Sequence, residues 1–201
     1  MLRSIARKLL GRNTPAAVPQ LLMWFPDTNS ILDSNLPEGF KHRSFQRGDE
    51  DGWCDLLNAN GQLGVWNRSR IDEERAGALA EDGQHFVFSH GGHFVACAGV
   101  YDRERDKEAC WEIGWIAADP DFRGLGLGGC VVANALRFTR KLEKRPVYLL
   151  TDDFRMAAIK TYLKLGFVPD LSHRSYEDRW RKILAALGPS YAKYASLIKR
   201  E

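Results

Sequence analysis

The fold of this chain is decided by one stretch, Asp119-Pro120-Asp121-Phe122-Arg123-Gly124-Leu125-Gly126-Leu127-Gly128-Gly129. Four of its last six residues are glycine, so the backbone can adopt turns closed to other residues and can approach a ligand closely. It follows a strand-like apolar run and opens a helical repeat formed by Leu127, Val131, Ala135, Phe138 and Leu142. Because the first amides of a helix lack intrahelical partners, this position indicates phosphate binding, with Arg123 adding a fixed charge.

Two other phosphate-binding turns fit these residues less well. The ATP-binding P-loop requires Gly-Lys followed by Ser or Thr, whereas Gly129 is followed by Cys130. Gly124, Gly126 and Gly129 do give the GxGxxG spacing of a dinucleotide turn. The antiparallel hairpin before the turn and Arg123 argue against that fold. A glycine-rich turn without any ligand is the remaining alternative.

The hydrophobic patterning on either side of the turn predicts an α/β protein. Strands are predicted over residues 21–25, 40–46, 85–89, 93–101, 109–118, 147–151 and 166–168. Helices are predicted over residues 48–60, 72–81, 126–142 and 155–165. In the strand at 109–118, alternation places Trp111, Ile113 and Trp115 on one face. Antiparallel strands followed by a strand–helix–strand crossover predict a mixed, mostly antiparallel central sheet with flanking helices.

The glycine-rich stretch also resembles the signature of a known family. Residues 123–128, Arg-Gly-Leu-Gly-Leu-Gly, match the Arg/Gln-x-x-Gly-x-Gly/Ala signature of the GNAT acyl-CoA-dependent N-acetyltransferases, and Asp119-Pro120 before them is typical. A second segment resembles the same family through Ala158-Ile159, Tyr162 and Gly166-Phe167. Two motifs in the right order imply a GNAT-like sheet.

The resemblance covers about residues 40–168 and implies how acetyl-CoA binds. The coenzyme A pyrophosphate would lie on the turn amides, supported by Arg123. These amides are those of Gly124, Leu125, Gly126, Leu127, Gly128 and Gly129. The pantetheine arm would add like a strand along Ile116, Ala117 and Ala118, where neighbouring strands splay. An amide near Ala118 would polarise the thioester carbonyl.

The implied reaction is attack of an amine on that thioester in a ternary complex. An alkylammonium has a pKa of about 10 and must first lose a proton. Glu112 is the candidate base, since the family often places one there acting through water; its spacing from Ala118 would put both on one strand face. Its alternative role is a solvated or paired strand glutamate. Tyr162 is the candidate acid that protonates the leaving thiolate, the alternative being a packing aromatic.

The helix of the second motif carries one departure from the family. Arg155, Ala158 and Tyr162 share a helical stripe by their spacing, but the family commonly has Asn where this chain has Arg155. The arginine would either contact a CoA phosphate or point to solvent. Asp152 and Asp153 compete for the role of base, and are better explained as N-caps of the following helix.

The amino-acid composition limits which classes of protein and of binding partner are compatible with this chain. The 201 residues are 44% hydrophobic and 27% charged, as in a globular protein, and the net charge of +3 is below that of a dedicated nucleic-acid domain. The apolar runs are too short to span a membrane, and no Cys or His spacing predicts a metal site. Reduced thiols and a cytoplasmic location are expected from the unpaired pattern of Cys54, Cys97, Cys110 and Cys130. We expect acetyl-CoA and an amine as partners, with a homodimer left open.

We divide the chain into an N-terminal extension with a basic segment (1–34), a GNAT-like domain (35–170) and a C-terminal helical extension packed on it (171–201). Residues 1–10 resemble a transit peptide in composition, the alternative being a frayed basic terminus. The C-terminal part is predicted to be an amphipathic helix pair that begins with Tyr176–Leu187 and keeps its lysines solvated. A nucleic-acid or partner surface is the alternative there.

The acceptor is not identified by these residues. The resemblance implies that it is set by the loop at about 60–70 and by elements after the last motif. Trp66 in that loop is expected to be either pocket wall or core. A small amine, an aminoglycoside-like compound and a protein N-terminus are all compatible. The competing function is a CoA-binding or interaction module that lacks catalysis.

Overall fold

The computed structural model describes residues 18–26, 31 and 35–197, and these residues contain seven strands and five α-helices. The strands are β1 (Leu21–Phe25), β2 (Lys41–Ser44), β3 (Leu79–Phe88), β4 (Phe94–Arg105), β5 (Glu108–Ala118), β6 (Val147–Thr151) and β7 (Val168–Pro169). The helices are α1 (Glu50–Asn60), α2 (Arg68–Ala76), α3 (Leu127–Thr139), α4 (Met156–Leu165) and α5 (Tyr176–Leu187).

All seven strands belong to one sheet, in the order β2-β3-β4-β5-β6-β1-β7. Every neighbouring pair is antiparallel except β5 and β6, which run parallel and are joined by the crossover through α3. Helix α3 packs on β3, β4 and β5 from one face, and α1 packs on β4 and β5. The predicted fold class, a mixed and mostly antiparallel sheet flanked by helices, is confirmed.

The two faces have separate cores. The core under α1 and α2 contains Trp53, Leu57, Ile71, Phe86 and Ala117. The larger core includes α3, α4, α5 and the strands beneath them. No helix in the described ranges is long and apolar enough to cross a membrane.

The central hairpin is longer than its sequence predicts. The strands predicted over 93–101 and 109–118 leave residues 102–108 as a connection, but the ladder continues until Arg105 pairs with Glu108. Only Asp106 and Lys107 turn, with φ angles of 53° and 68°. A run of charged residues favours a loop in a sequence-based prediction. At a strand end that projects into solvent, however, the backbone of charged residues forms the hydrogen bonds of the ladder equally well.

Helix α2 lies earlier than the predicted range of 72–81. Its N-cap is Asn67, whose side chain accepts a hydrogen bond from the Arg70 amide at 3.0 Å. The helix ends at Ala76 with Gly77 as its C-cap, and β3 already begins at Leu79. Glu81, the last residue of the predicted range, is instead an exposed residue of β3, where side-chain charge does not select the conformation.

Strand β1 occupies an interior position in the sheet, between β6 and β7. Leu21 pairs with Thr151, and Trp24 pairs with both Tyr148 and Val168. The division at residue 35 therefore does not follow the sheet, because a strand assigned to the N-terminal extension is part of the domain. The basic segment and its transit-peptide resemblance fall at residues 1–17, outside the described residues.

The C-terminal extension packs on the larger core. Trp180, Ile183 and Leu184 of α5 are buried there, as the helical periodicity predicts. The second stretch, Pro189–Leu197, is a 3₁₀ helix rather than an α-helix. It is anchored where the Tyr194 hydroxyl donates to the Leu163 carbonyl at 2.6 Å.

A histidine pair joins β2 to β3, and His85 of this pair is buried. The rings of His42 and His85 stack at 5.3 Å, with Nε2 of His42 and Nδ1 of His85 3.3 Å apart. Phe138 of α3 covers His85 at 5.1 Å between ring centroids. Burial, and then the charges of His42 and Lys141, lower the pKa of His85 to about 4. Folding therefore keeps this imidazole neutral at neutral pH.

Acid should destabilise the protein through His85. An unfolded histidine titrates near 6.5 and the folded one near 4, so the unfolded chain binds more protons between these values. Stability is full above about pH 6.5 and falls as the pH drops, by about 3 kcal/mol at pH 4. Urea unfolding at pH 7 and pH 4.5 should show that His85→Gln loses part of this acid sensitivity, whereas the exposed control His93→Gln retains it. Equal acid losses in His85→Gln and the native protein would contradict the assignment.

Candidate active site

The chain turns sharply between β5 and α3. Asp119 anchors the turn, because its amide donates to the Val95 carbonyl and its carboxylate accepts from the Asp121 amide, both at 2.9 Å. Gly124 and Gly126 then adopt left-handed φ angles of 82° and 75°, which glycine tolerates and other residues do not. Gly126 is the N-cap of α3 and provides no side chain to cap it. The glycines thus bend the chain while leaving the helix start uncovered.

The amides of this turn are available to a ligand. Among the described residues, no protein group accepts a hydrogen bond from the N–H groups of residues 124–129; the first amide to bond back is that of Cys130. A Cβ added at Gly124, Gly126 or Gly128 would meet no atom within 4 Å. Arg123 is exposed beside them. Six consecutive amides around an open cradle fit a diphosphate.

Strands β5 and β6 separate next to this cradle. Their parallel pairing is limited to Trp111 with Val147 and Glu112 with Tyr148. Beyond Glu112, in the described part of the chain, β5 is paired only with β4, so the backbone edge of residues 113–118 faces the gap. Asn60 of α1 closes the end of the gap by donating to the Ala118 carbonyl at 3.2 Å. Such an edge can accept an extended ligand as an added strand.

A β-bulge at Trp115 reverses the side-chain alternation of β5. Trp115 has a φ of 45°, and the pairing with β4 slips by one residue between Gly114 and Ala117. Trp115 therefore packs on Trp66 in the core under α1, at 4.6 Å between ring centroids, and not on the face of Trp111 and Ile113. The predicted grouping of Trp115 with those two residues is wrong, because an extra residue shifts every following side chain to the other face.

The same bulge corrects the expected geometry of Glu112 and Ala118. Glu112 pairs with Tyr101 and points toward Gly114, whereas Ala118 pairs with Ala96 and packs against the core under α3. The two side chains lie on opposite faces, not on the same one. The correction concerns side chains only, since the backbone amides of the strand lie in the plane of the sheet.

Glu112 is held by its neighbours through one oxygen. The Tyr148 hydroxyl donates to its Oε2 at 3.0 Å, and Arg103 Nε lies 3.3 Å from the same atom. Oε1 points along the strand, since a Cβ at Gly114 would lie only 3.2 Å from it. The missing side chain at Gly114 thus leaves room for this carboxylate oxygen. Burial and the Glu112 charge raise the pKa of Tyr148 to about 12, so its hydroxyl remains a donor.

Tyr162 lies on α4 and is buried. Its ring contacts Phe167 edge-on at 6.1 Å between centroids, which joins the two ends of the second motif. Burial raises the pKa of Tyr162 well above its ordinary value, partly opposed by the charge of Arg155. The hydroxyl is therefore protonated at neutral pH. The structure brings Tyr162 into the core and leaves both roles considered for it open.

Arg155 makes protein contacts instead of reaching solvent. Its Nη2 donates to the Gln62 carbonyl at 2.9 Å, and its Nε lies 3.1 Å from Asp152 Oδ2. These contacts link the start of α4 to the loop between α1 and α2. Neither aspartate caps α4, contrary to the prediction. Asp152 also accepts from Gln20, while Asp153 pairs with Arg179 of α5.

The loop at 61–67 is fixed by a polar clamp. The Asn58 side chain accepts from the Trp66 amide at 2.8 Å and donates to the Trp66 carbonyl at 3.0 Å. Trp66 itself is 3% exposed, so it is core and not pocket wall. The neighbouring Val65 is 84% exposed. This clamp is not predictable from the sequence, because an asparagine inside a helix usually faces solvent.

Three side chains at the site are not predicted from the sequence: Arg103, Tyr148 and Asn60. Tyr148 and Arg103 lie on the two strands that flank β5, and strand neighbours cannot be identified without the register. The only signal in the sequence was alternation within each strand, which assigns Tyr148 a face but no partner. Within the described residues, no group of His, Cys, Asp and Glu side chains could hold a metal ion.

The family model described as "Acetyltransferase (GNAT) family" matches residues 50–167, which include the glycine cradle, the splayed strands and Tyr162. The chain belongs to the GNAT acetyltransferase family. This confirms the resemblance seen in the two motifs. The match ends at Phe167, so α5 and the 3₁₀ helix lie beyond it.

Several curated relatives of this chain are mycothiol acetyltransferases. The one from Geodermatophilus obscurus is 29% identical over 160 residues, covering 73% of this chain and 49% of its own length. The one from Thermobispora bispora is 27% identical over 151 residues, covering 71% of this chain and 51% of its own. The chain spans about half the length of the curated relatives it matches.

Solved structures agree on the fold. A GCN5-related N-acetyltransferase from Sphaerobacter thermophilus has a TM-score of 0.59 at 17% identity, covering 76% of this chain and 50% of its own. The ribosomal-protein-S18-alanine N-acetyltransferase from Escherichia coli has a TM-score of 0.55 at 19% identity, covering 68% of this chain and 83% of its own. At these identities the likeness establishes the GNAT fold alone.

Removing the polar clamp should loosen the loop beside the cleft. Asn58→Ala leaves two buried backbone groups of Trp66 without partners and should lower the free energy of unfolding by about 2 kcal/mol. Asn58→Asp keeps the acceptor and loses the donor, so a smaller loss is expected. Urea unfolding followed by tryptophan fluorescence measures both. Wild-type stability in Asn58→Ala would show that the clamp contributes nothing.

Proposed function

We propose that this GNAT protein transfers an acetyl group from acetyl-CoA to an amine by direct attack in a ternary complex. The observation that carries the proposal is the open glycine cradle, whose six amides have no protein acceptor among the described residues. It stands at the start of α3, where the helix dipole favours a diphosphate. The adjoining gap between β5 and β6 would take the pantetheine arm.

The cofactor-binding groups follow from this placement. The backbone amides of residues 124–129 would bind the pyrophosphate, and exposed Arg123 would supply charge. The edge of Ile116, Ala117 and Ala118 would pair with the pantetheine amides, and one amide of this segment would polarise the thioester carbonyl. Arg155 is engaged by Gln62, so we propose that it supports the cleft wall and reaches a phosphate only if that contact opens.

Glu112 and Tyr162 would move the two protons of the reaction. Glu112 would take a proton from the acceptor ammonium, directly or through one water, with Oε1 as the accepting atom and Oε2 held by Tyr148. The free amine then forms the C–N bond as the C–S bond breaks. Tyr162, kept protonated by burial, would give its proton to the departing sulfur. The second proton that the nitrogen loses as the amide forms would restore the Tyr162 hydroxyl. The amide product forms without a covalent enzyme intermediate.

The acceptor is an amine of a class that the fold does not fix. One relative is named for mycothiol and one structural neighbour for an alanine of a ribosomal protein, which supports a small molecule and a protein N-terminus as two candidate acceptors. We retain both for this chain, together with the cytoplasm as the proposed location. Incubation with acetyl-CoA and an amine panel, with thiol release as the readout, tests the proposal. Binding of acetyl-CoA without thiol release for any amine would instead identify a binding module.

Gly126→Leu should abolish tight acetyl-CoA binding. The side chain would enter the cradle and cover the amides, raising the Kd at least tenfold, which calorimetry measures. Gly61→Leu is the matched control, because Gly61 has the same left-handed backbone and open surroundings next to a different helix. Both variants carry similar backbone strain, so both should lose similar stability. Unchanged affinity in Gly126→Leu would remove the cradle from the binding site.

Tyr162→Phe should lower kcat about 100-fold while changing the acetyl-CoA Kd less than threefold, as expected for loss of a general acid. Tyr191→Phe is the control, since it removes the hydroxyl of another buried tyrosine, on the C-terminal extension. Thiol release under saturating acetyl-CoA gives kcat, and calorimetry gives the affinity. A Tyr162→Phe variant with native kcat would leave this residue a packing aromatic.

A further inference from the structure

Two arginines of β4 follow Tyr101 on the face that carries Glu112. Tyr101 pairs with Glu112 across the hairpin, and alternation places Arg103 and Arg105 on the same side of the strand. The Arg103 guanidinium lies 5.1 Å from the Tyr101 ring centroid. The Arg105 guanidinium lies 4.9 Å from the ring centroid of Tyr148. Stacking on two tyrosines fixes both planar groups near the proposed base.

Arg105 has no acidic partner within ion-pair distance in the described part of the chain. Glu108 stands opposite it in the register, yet no ion pair joins the two. Its Nε is buried without a hydrogen-bond acceptor. Arg145 and Arg179, by contrast, each bind a carboxylate, at 2.8 Å to Asp102 and 2.5 Å to Asp153. Buried donors are almost always satisfied, so this Nε–H without an acceptor, on a guanidinium packed against the tyrosine that binds Glu112, indicates a ligand that supplies one.

The order of charged residues along the hairpin indicates how an acceptor would be oriented in the site. The edge proposed for the thioester lies at residues 116–118 of β5, and Glu112 lies on the same strand closer to the hairpin turn. Arg103 and Arg105 of the neighbouring strand β4 lie closer still to that turn. Tyr148 bridges the last two steps, since its hydroxyl contacts Glu112 and its ring contacts Arg105. A molecule with its amine at Glu112 and an anion at Arg105 would span about the length of this tyrosine side chain.

We propose that the acceptor amine carries an anionic group, a carboxylate or a phosphate, and that Arg105 is the residue that selects it. This inference rests on the proposed function, because it places the acceptor in the cleft beside Glu112. A guanidinium binds either anion through two parallel N–H donors, so geometry as well as charge would favour such acceptors. Arg103 is shared with Glu112 and adds positive charge to the same end of the cleft.

Two matched pairs of amines separate the anion from the rest of the acceptor. Glucosamine 6-phosphate against glucosamine tests a phosphate, and the dipeptide amide Ala-Glu against Ala-Gln tests a carboxylate. Binding to the full chain is measured by calorimetry in saturating CoA, where no transfer occurs, and kcat/KM is then measured with acetyl-CoA. The anionic member of at least one pair should bind at least tenfold more tightly, as expected for a charge-assisted contact.

Arg105→Gln should reduce that preference to less than threefold by weakening the anionic member alone. Arg105→Lys should restore part of it, and Arg105→Met, which keeps the packing on Tyr148, should behave like Arg105→Gln. Arg47→Gln removes the same charge from an exposed loop and should leave the preference intact. An unchanged preference in Arg105→Gln, or the absence of any anion preference in both pairs, overturns the proposal. Loss of acetyl-CoA binding by the native chain would instead overturn the proposed function.

Discussion

The site depends on how briefly β5 and β6 run together. They are paired for two residues and then diverge, so one edge of the central strand stays open beside the start of α3. Backbone hydrogen-bonding groups at such an edge are costly to bury without partners, which is why a gap of this kind persists only where water or a ligand meets it. The glycines of the cradle extend the same arrangement from the strand edge to the helix amides.

The candidate base Glu112 is positioned by residues of the sheet and not by a loop. Its carboxylate is fixed by a tyrosine from β6 and an arginine from β4, so groups on three adjacent strands meet at one oxygen. Gly114 then leaves room for the second oxygen, which lies where a side chain at this position would begin. Strands hold side chains more rigidly than loops do, and a base on a strand therefore requires little reorganisation during proton transfer.

Sequence reasoning succeeded where local pattern decides the structure. The glycine-rich turn, the α5 stripe of Trp180, Ile183 and Leu184, and the hairpin between the strands predicted at 85–89 and 93–101 each follow from a few neighbouring residues. It failed where a single local irregularity governs the outcome. The bulge at Trp115 cannot be seen in a run that alternates well, yet it moves Ala118 to the other face.

Contacts between residues that are distant in the sequence were the other part of the site that could not be predicted. Asp152 and Asp153 carry the residue type of helix caps, and only the fold shows that Gln20 and Arg179 engage them. The contact of Tyr148 with Glu112 could not be predicted either, because it depends on the register between two strands that are far apart in the chain. The candidate base and acid were named from a family pattern, whereas the groups that hold the base were found in the structure.

The interior position of β1 also bears on how the chain reaches its native state. Its partners, β6 and β7, are synthesised more than a hundred residues later, as the pairings of Leu21 with Thr151 and Trp24 with Val168 show. During translation this apolar strand emerges from the ribosome long before either neighbour exists. Assembly of the sheet is thereby a late event dominated by sequence-distant contacts, which slows folding and lengthens the period in which chaperones have access to the nascent chain.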